Sequence, residues 1–167
     1  RLLKCEVWLG ELLQGCLERR WGRQRGGGLR LRDASCVSQP GSKGTDWRLH
    51  LSLNMGQMGV DGLSLSDQHG GESFAQVAVE PGDLCVGDAG YAYVRSLVTV
   101  LLAQALLLVR MNWQNLPLFD AAGRRFDLLA CLRRLNAGDP PGEFALGIQH
   151  EGQHFPLRLL VLPLPQE

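Results

Sequence analysis

Apolar residues recur at Leu2, Cys5, Leu9, Leu12, Leu13, Cys16 and Leu17, a spacing of three and four that predicts an amphipathic helix over residues 2–20. The basic stretch Arg19–Arg25 and the triplet Gly26–Gly28 end it and form a flexible joint. Beyond the joint the period falls to two. Leu29, Leu31 and Asp33 alternate with Arg30, Arg32 and Ala34, the pattern of a strand with one buried face. Asp33 falls on the apolar parity, at the predicted strand's end. Ser38–Thr45 is rich in turn formers and predicts a loop. Leu49, Leu51 and Leu53 alternate with His50, Ser52 and Asn54 as a second strand, and Leu63–Asp67 predicts a third across the turn Met55–Gly62. Three strands in a row predict an antiparallel meander.

The second half of this region changes character. Glu72–Val79 predicts a short helix that Pro81-Gly82-Asp83 stops. Leu84–Gly87 is short and wholly apolar, as in a strand covered on both faces. Tyr93–Gln104 predicts a helix, and Leu106–Met111 another buried strand. Three antiparallel strands followed by parallel crossovers make a mixed α/β sheet. From Asn112 onward prolines cluster and short apolar runs alternate with polar turns. Phe126–Leu135 predicts one helix, while Phe144–Ile148 and Leu157–Leu162 predict β hairpins. The expected organisation is a lead-in over residues 1–28, an α/β core over 29–111 and a smaller β-rich subdomain over 112–167.

Composition narrows the picture. Of the 167 residues, 45% are hydrophobic, enough to bury a core. Lys+Arg and Asp+Glu balance at 17 each, which argues against a freestanding DNA-binding module, where a basic excess is usual. The five cysteines are scattered and form no CxxC pair, so neither a zinc ribbon nor a disulfide framework is suggested and a reducing compartment is expected. The apolar run Leu97–Val109 is interrupted by Thr99 and Gln104 and falls short of the roughly 20 residues a bilayer span needs. A soluble, cytoplasmic chain with no membrane partner is the expectation. Opening on Arg1 and closing in the apolar run Leu157–Leu164, the chain reads as cut at both ends.

Two aspartates stand at predicted strand ends, Asp33 in LRLRDAS and Asp88 in LCVGDAGYA. A carboxylate closing a buried strand is costly unless it is paired or bound to metal. On neighbouring strands the two would converge on one edge and could hold Mg²⁺, which prefers oxygen ligands and keeps some of its waters. Two such ions activate a nucleophile and stabilise the leaving oxygen of a phosphodiester. The alternative is that each aspartate is a turn or cap residue, as aspartates at strand ends often are.

The strings Leu29–Val37, PGSKGTDWRLH (Pro40–His50), SDQHGGES (Ser66–Ser73), GDAGYA (Gly87–Ala92) and VRMNWQNLPLFDAAGRRFDLL (Val109–Leu129), in this order, resemble bacterial insertion-sequence transposases of the DDE type. In that group a ribonuclease H-like core is interrupted by a β-rich insertion. The resemblance implies that Asp33 and Asp88 are the first two catalytic, metal-binding acids, with Mg²⁺ or Mn²⁺ as cofactor. It further implies double-stranded DNA, as transposon ends and target, as the partner of the full-length protein, and a homodimer as one possible assembly. The family's third acid is a glutamate in a Tyr, Arg, Glu, Lys motif on a helix after the insertion; Glu143, Glu151 and Glu167 stand in no such motif. The catalytic set is therefore expected to be incomplete and the chain inactive alone. Ala89 also stands where the family usually places an Arg, removing a cation suited to phosphate.

Other side chains have more than one reading. Lys43, Arg48, Arg95 and Arg110 could touch phosphate or lie on a solvated surface. Tyr91 could stack on a base, support the metal loop or sit in the core, and Trp113 could stack on an unpaired base or form a hydrophobic hinge. His50, His69 and His150 are irregularly spaced, with no cysteine at ligand distance in sequence, so zinc is not expected. A transposase fragment is the leading function; a non-catalytic remnant acting as a DNA- or protein-interaction module is the second. A nuclease with the same core would need its last acid soon after the fifth strand, where the proline-rich stretch stands instead.

Overall fold

The structure, a computed structural model, describes residues 28–136 and 139–163. The helix expected over residues 2–20 and most of the glycine joint lie outside the described residues. The chain divides into two compact units, residues 1–111 and 112–167.

In the first unit a five-stranded sheet is ordered β3-β2-β1-β4-β5. Its strands are β1 (Leu29–Val37), β2 (Trp47–Asn54), β3 (Gly59–Asp67), β4 (Leu84–Gly87) and β5 (Leu106–Val109), and one helix, α1 (Val94–Leu102), crosses between β4 and β5. β1, β2 and β3 pair antiparallel, whereas β4 runs parallel to both β1 and β5. The mixed sheet that the alternation predicts is the one observed.

Several local features differ from expectation. β1 continues four residues past Asp33, so this aspartate stands within the strand and not at its end. The β2–β3 turn is shorter than Met55–Gly62 because Asn54 Oδ1 accepts from the backbone N–H groups of Gly56 and Gln57, closing the chain at once. The helix expected over Glu72–Val79 is only a 3-10 turn, Phe74–Gln76, capped by Ser73. Val77 turns extended, which lays its side chain over Gly62, where a Cβ would overlap it. That extended path also leaves the Ala78 carbonyl free to accept from Arg32 Nη2 at 2.7 Å.

The sheet inverts the expected parity. In β1 and β2 the covered residues are Arg32, His50, Ser52 and Asn54, joined by Cys85 of β4. Register partners place them on one face with Arg30, beneath the Val77–Ala78 segment. The opposite face carries cross-strand rows of aliphatics, Leu29–Leu84–Leu106 and Leu31–Val86–Leu108. Leu106 and Leu108 remain 65% and 54% exposed, so β5 is an edge strand with one open face and not the buried strand its composition suggests.

A buried ion pair holds the polar face at its lower end. Asp83 is wholly buried and receives Arg30 Nε at 2.7 Å together with the backbone N–H groups of Gly28 and Glu80; Arg30 also pairs with Asp61. Burial pushes the Asp83 carboxyl up, but these donors outweigh it and hold the group below the usual carboxylate range. Above them α1 buries Leu97, Val98 and Val100, and its Ser96 Oγ accepts from the Phe74 backbone.

The second unit is built on a two-stranded antiparallel sheet of β6 (Gly142–His150) and β7 (Gln153–Val161). Their turn, Glu151–Gly152, has both residues at positive φ, the conformation whose twist suits a two-residue hairpin loop. A one-turn helix, α2 (Leu128–Leu132), is capped by Asp127, shorter than the Phe126–Leu135 helix expected. Leu146, Ile148 and Phe155 form its core with Leu116 and Leu118. No helix among the described residues is long and apolar enough to cross a membrane.

Candidate catalytic centre

Where β4 ends, the chain leaves the sheet through Asp88 and turns over Ala89–Tyr91. Asp88 Oδ1 accepts from the Gly90 backbone N–H at 2.8 Å, which makes it the cap of this turn, as the plainer reading of a strand-end aspartate supposes. The cap occupies one oxygen and leaves the side chain exposed. The last paired step between β1 and β4 is Leu31↔Val86, and two residues further along both strands come Asp33 and Asp88. Both are solvent-accessible, and neither has an ion-pair partner among the described residues.

Two further groups feel both aspartates. Tyr91 is buried and packs its ring 4.8 Å from that of Phe74. Burial, then the charges of Glu72, Asp33 and Asp88, push its phenol far above the ordinary value. Glu72, on the loop after β3, is raised by burial, then by Asp88, against a lowering by Arg48, with Asp33 also raising it. The Glu72 carboxylate lies against Gly90, where a Cβ would overlap Oε2 and stand 3.1 Å from Asp88 Oδ1. Arg48 Nη1 reaches Glu72 Oε1 at 3.4 Å. The centre is thus an acidic edge beside β4, with one buried phenol behind it and one arginine at its side.

The remaining candidates are placed less centrally. Lys43 is exposed on the β1–β2 loop, Arg95 is exposed on α1, and Arg110 is exposed just beyond β5. Arg48 is half-buried on Glu72, a carboxylate partner in place of open solvent. Tyr91 is 2% exposed, which removes it from base stacking and leaves it a core residue behind the acids. Trp113 belongs to the second unit and is 56% exposed. His50 is buried with Nε2 2.8 Å from Ser66 Oγ, while His69 lies in an exposed turn with Asp67 Oδ1 accepting from its backbone N–H. Among the described residues no three histidine, cysteine or acidic side chains form a ready metal cage.

Sequence reasoning placed Glu72 at a helix start and gave it no part in the centre. No sequence signal marks it, because the approach of its carboxylate to Gly90 arises only in the folded chain.

No family model and no solved structure matches the chain. Along its whole length, in an alignment of 179 residues, it is 30% identical to the transposase InsL for insertion sequence element IS186A of Escherichia coli (strain K12). It is equally similar to the transposase for insertion sequence element IS421 of Escherichia coli. The chain is homologous to insertion-sequence transposases. It spans 47% of the length of these transposases, and both of its units fall within the aligned stretch.

Proposed function

We propose that this chain is the part of a DDE transposase that carries the first two catalytic carboxylates, on a ribonuclease H-like core, followed by a β-rich insertion formed by residues 112–167. The parent protein would cleave phosphodiesters and transfer strands at transposon ends, with double-stranded DNA as substrate. What supports this reading is that Asp33 and Asp88 each lie two residues beyond the Leu31↔Val86 pair of adjacent parallel strands and both act on Glu72 and Tyr91, in a chain homologous to transposases.

The residues suit a hard divalent cation. Asp33 and Asp88 offer oxygen donors only, both are open to solvent, and no lysine or arginine neutralises them among the described residues. Mg²⁺ needs no all-protein cage, being held by one or two carboxylates with water and substrate phosphate, so the lack of a three-residue cage is compatible with it. Bound there, Mg²⁺ or Mn²⁺ would supply Lewis acidity to the attacking and leaving oxygens. The Gly90 N–H fixes one Asp88 oxygen and leaves the other to face outward. Tyr91, its proton retained by burial and by the three carboxylates, holds the loop by packing on Phe74 and does not act as a base.

The third acid of the family's pattern has no counterpart in residues 112–167, so the 167-residue chain is expected to leave DNA intact. Fe²⁺ with ascorbate, replacing Mg²⁺, should cut the polypeptide near residues 33 and 88, and supercoiled plasmid with Mn²⁺ should stay uncut. Polypeptide cutting elsewhere would overturn the assignment of the centre; nicking that Asp88→Ala abolishes would show that two aspartates suffice.

A further inference from the structure

The aliphatic face of the sheet meets water at β5. Leu106 and Leu108 are 65% and 54% exposed, and beside them Leu84 and Val86 of β4 are half-buried. These four side chains form one patch across two hydrogen-bonded strands. The opposite face has its cover, because Val77 lies over Gly62, Ala78 meets Arg32 and the Phe74 ring lies against Gly87. A contiguous apolar patch marks a surface that something else occupies. An edge strand left open beside it is a template for aggregation unless charges or prolines protect it, and β5 (LLLV) carries neither.

We propose that residues 2–17 of this chain, which lie outside the described residues, dock on the β4–β5 patch as its cover. Their apolar positions from Leu2 to Leu17 recur at three and four, so as a helix they would present one apolar stripe about 22 Å long. The chain that follows them enters the sheet beside the patch. Gly28 donates its N–H to Asp83 Oδ1, and its carbonyl accepts from the backbone N–H of Leu84, the first residue of the patch. From there β5 is two strands from β1, about 10 Å away, whereas residues 18–28 can extend to about 36 Å. The segment can therefore fold back over β4 and β5, with Leu29 at the margin of the contact. A second copy of the chain could offer the same stripe, but it would compete with a tethered segment whose effective concentration is about millimolar.

The test is pulsed alkylation of the cysteine thiols in the whole 167-residue chain, read by peptide mapping. Cys5 and Cys16 stand on the proposed stripe, while Cys36 is exposed on β1 and serves as the free-thiol reference. Cys5 and Cys16 should react roughly tenfold more slowly than Cys36, as thiols reached only through local opening do. Leu106→Asp combined with Leu108→Asp should bring both to the Cys36 rate. Rates equal to that of Cys36 in the native chain overturn the inference. Protection that the double substitution leaves intact also overturns it, because the segment then lies elsewhere. Protection that disappears on dilution overturns it in favour of a second copy. If the aspartate variant fails to fold, Leu108→Cys, which keeps an apolar side chain, decides instead. A short bismaleimide should then join position 108 to Cys5 or Cys16 within one chain; a link to neither, or links between chains only, overturns the inference.

Discussion

Asp33 and Asp88 each lie two residues beyond the paired Leu31 and Val86, Asp33 within β1 and Asp88 just past the end of β4. Their charges act together on Glu72 and Tyr91, raising both. Removing one charge should be felt by the others. In Asp88→Asn the Glu72 carboxyl should fall toward its ordinary range, and Tyr91 should ionise at lower pH than in the native chain. Carboxyl and ring carbon shifts followed by NMR across a pH series check this. A Glu72 titration identical in both proteins would show that burial alone raises it.

The buried Asp83–Arg30 pair makes a stability prediction. Because Asp83 titrates below its unfolded value, its contribution is fully present above the ordinary carboxylate pKa. It is lost as pH falls through the lower folded value. Asp83→Asn should cost about 2 kcal/mol at neutral pH, since it removes one of the two carboxylates paired with Arg30 and leaves Asp61. Urea unfolding at pH 7 and pH 3 should show the difference between variant and native chain shrinking in acid.

His50 carries the same sign in a milder pH range. Burial, then the charge of Arg48, holds its imidazole below the ordinary value, so the folded chain keeps it neutral. Stability from this group is complete above about pH 6.5, the unfolded value, and declines as pH falls from there through the folded value. Urea midpoints should therefore drop between pH 7 and pH 5, with a shallower drop in His50→Gln. Parallel slopes in the two proteins would place the effect on another group.

Much of this was legible in the sequence because the strands of the first unit alternate cleanly and the turns carry their usual residues. Leu49–Leu53 and Leu84–Gly87 read as strands and are strands. The parallel pairing of β1 with β4 that the strand order implied is observed, ending at Leu31↔Val86, two residues short of Asp33 and Asp88. What did not read correctly was the direction of burial. Alternation says that two faces differ without saying which is covered, and leucine is the natural guess for the inner one. Here Arg32, His50 and Ser52 are inside because Ala78 and Ser66 supply partners for two of them. The partner of Arg32 lies 46 residues away, beyond the reach of any local pattern. Glu72 was missed for the same reason, since its closeness to Gly90 is created by folding alone.

The inverted sheet also reshapes how the chain should tolerate change. A ranking of positions by hydropathy would mark the β1 leucines as critical and its arginines as expendable. With Leu29 41% exposed and Arg32 5% exposed, the mutational sensitivity along β1 runs the other way. Polar replacements at Leu29 are the mild ones, and trimming Arg32 strands the Ala78 carbonyl. Neutral drift in such a strand would preserve its charges and let its oiliness wander.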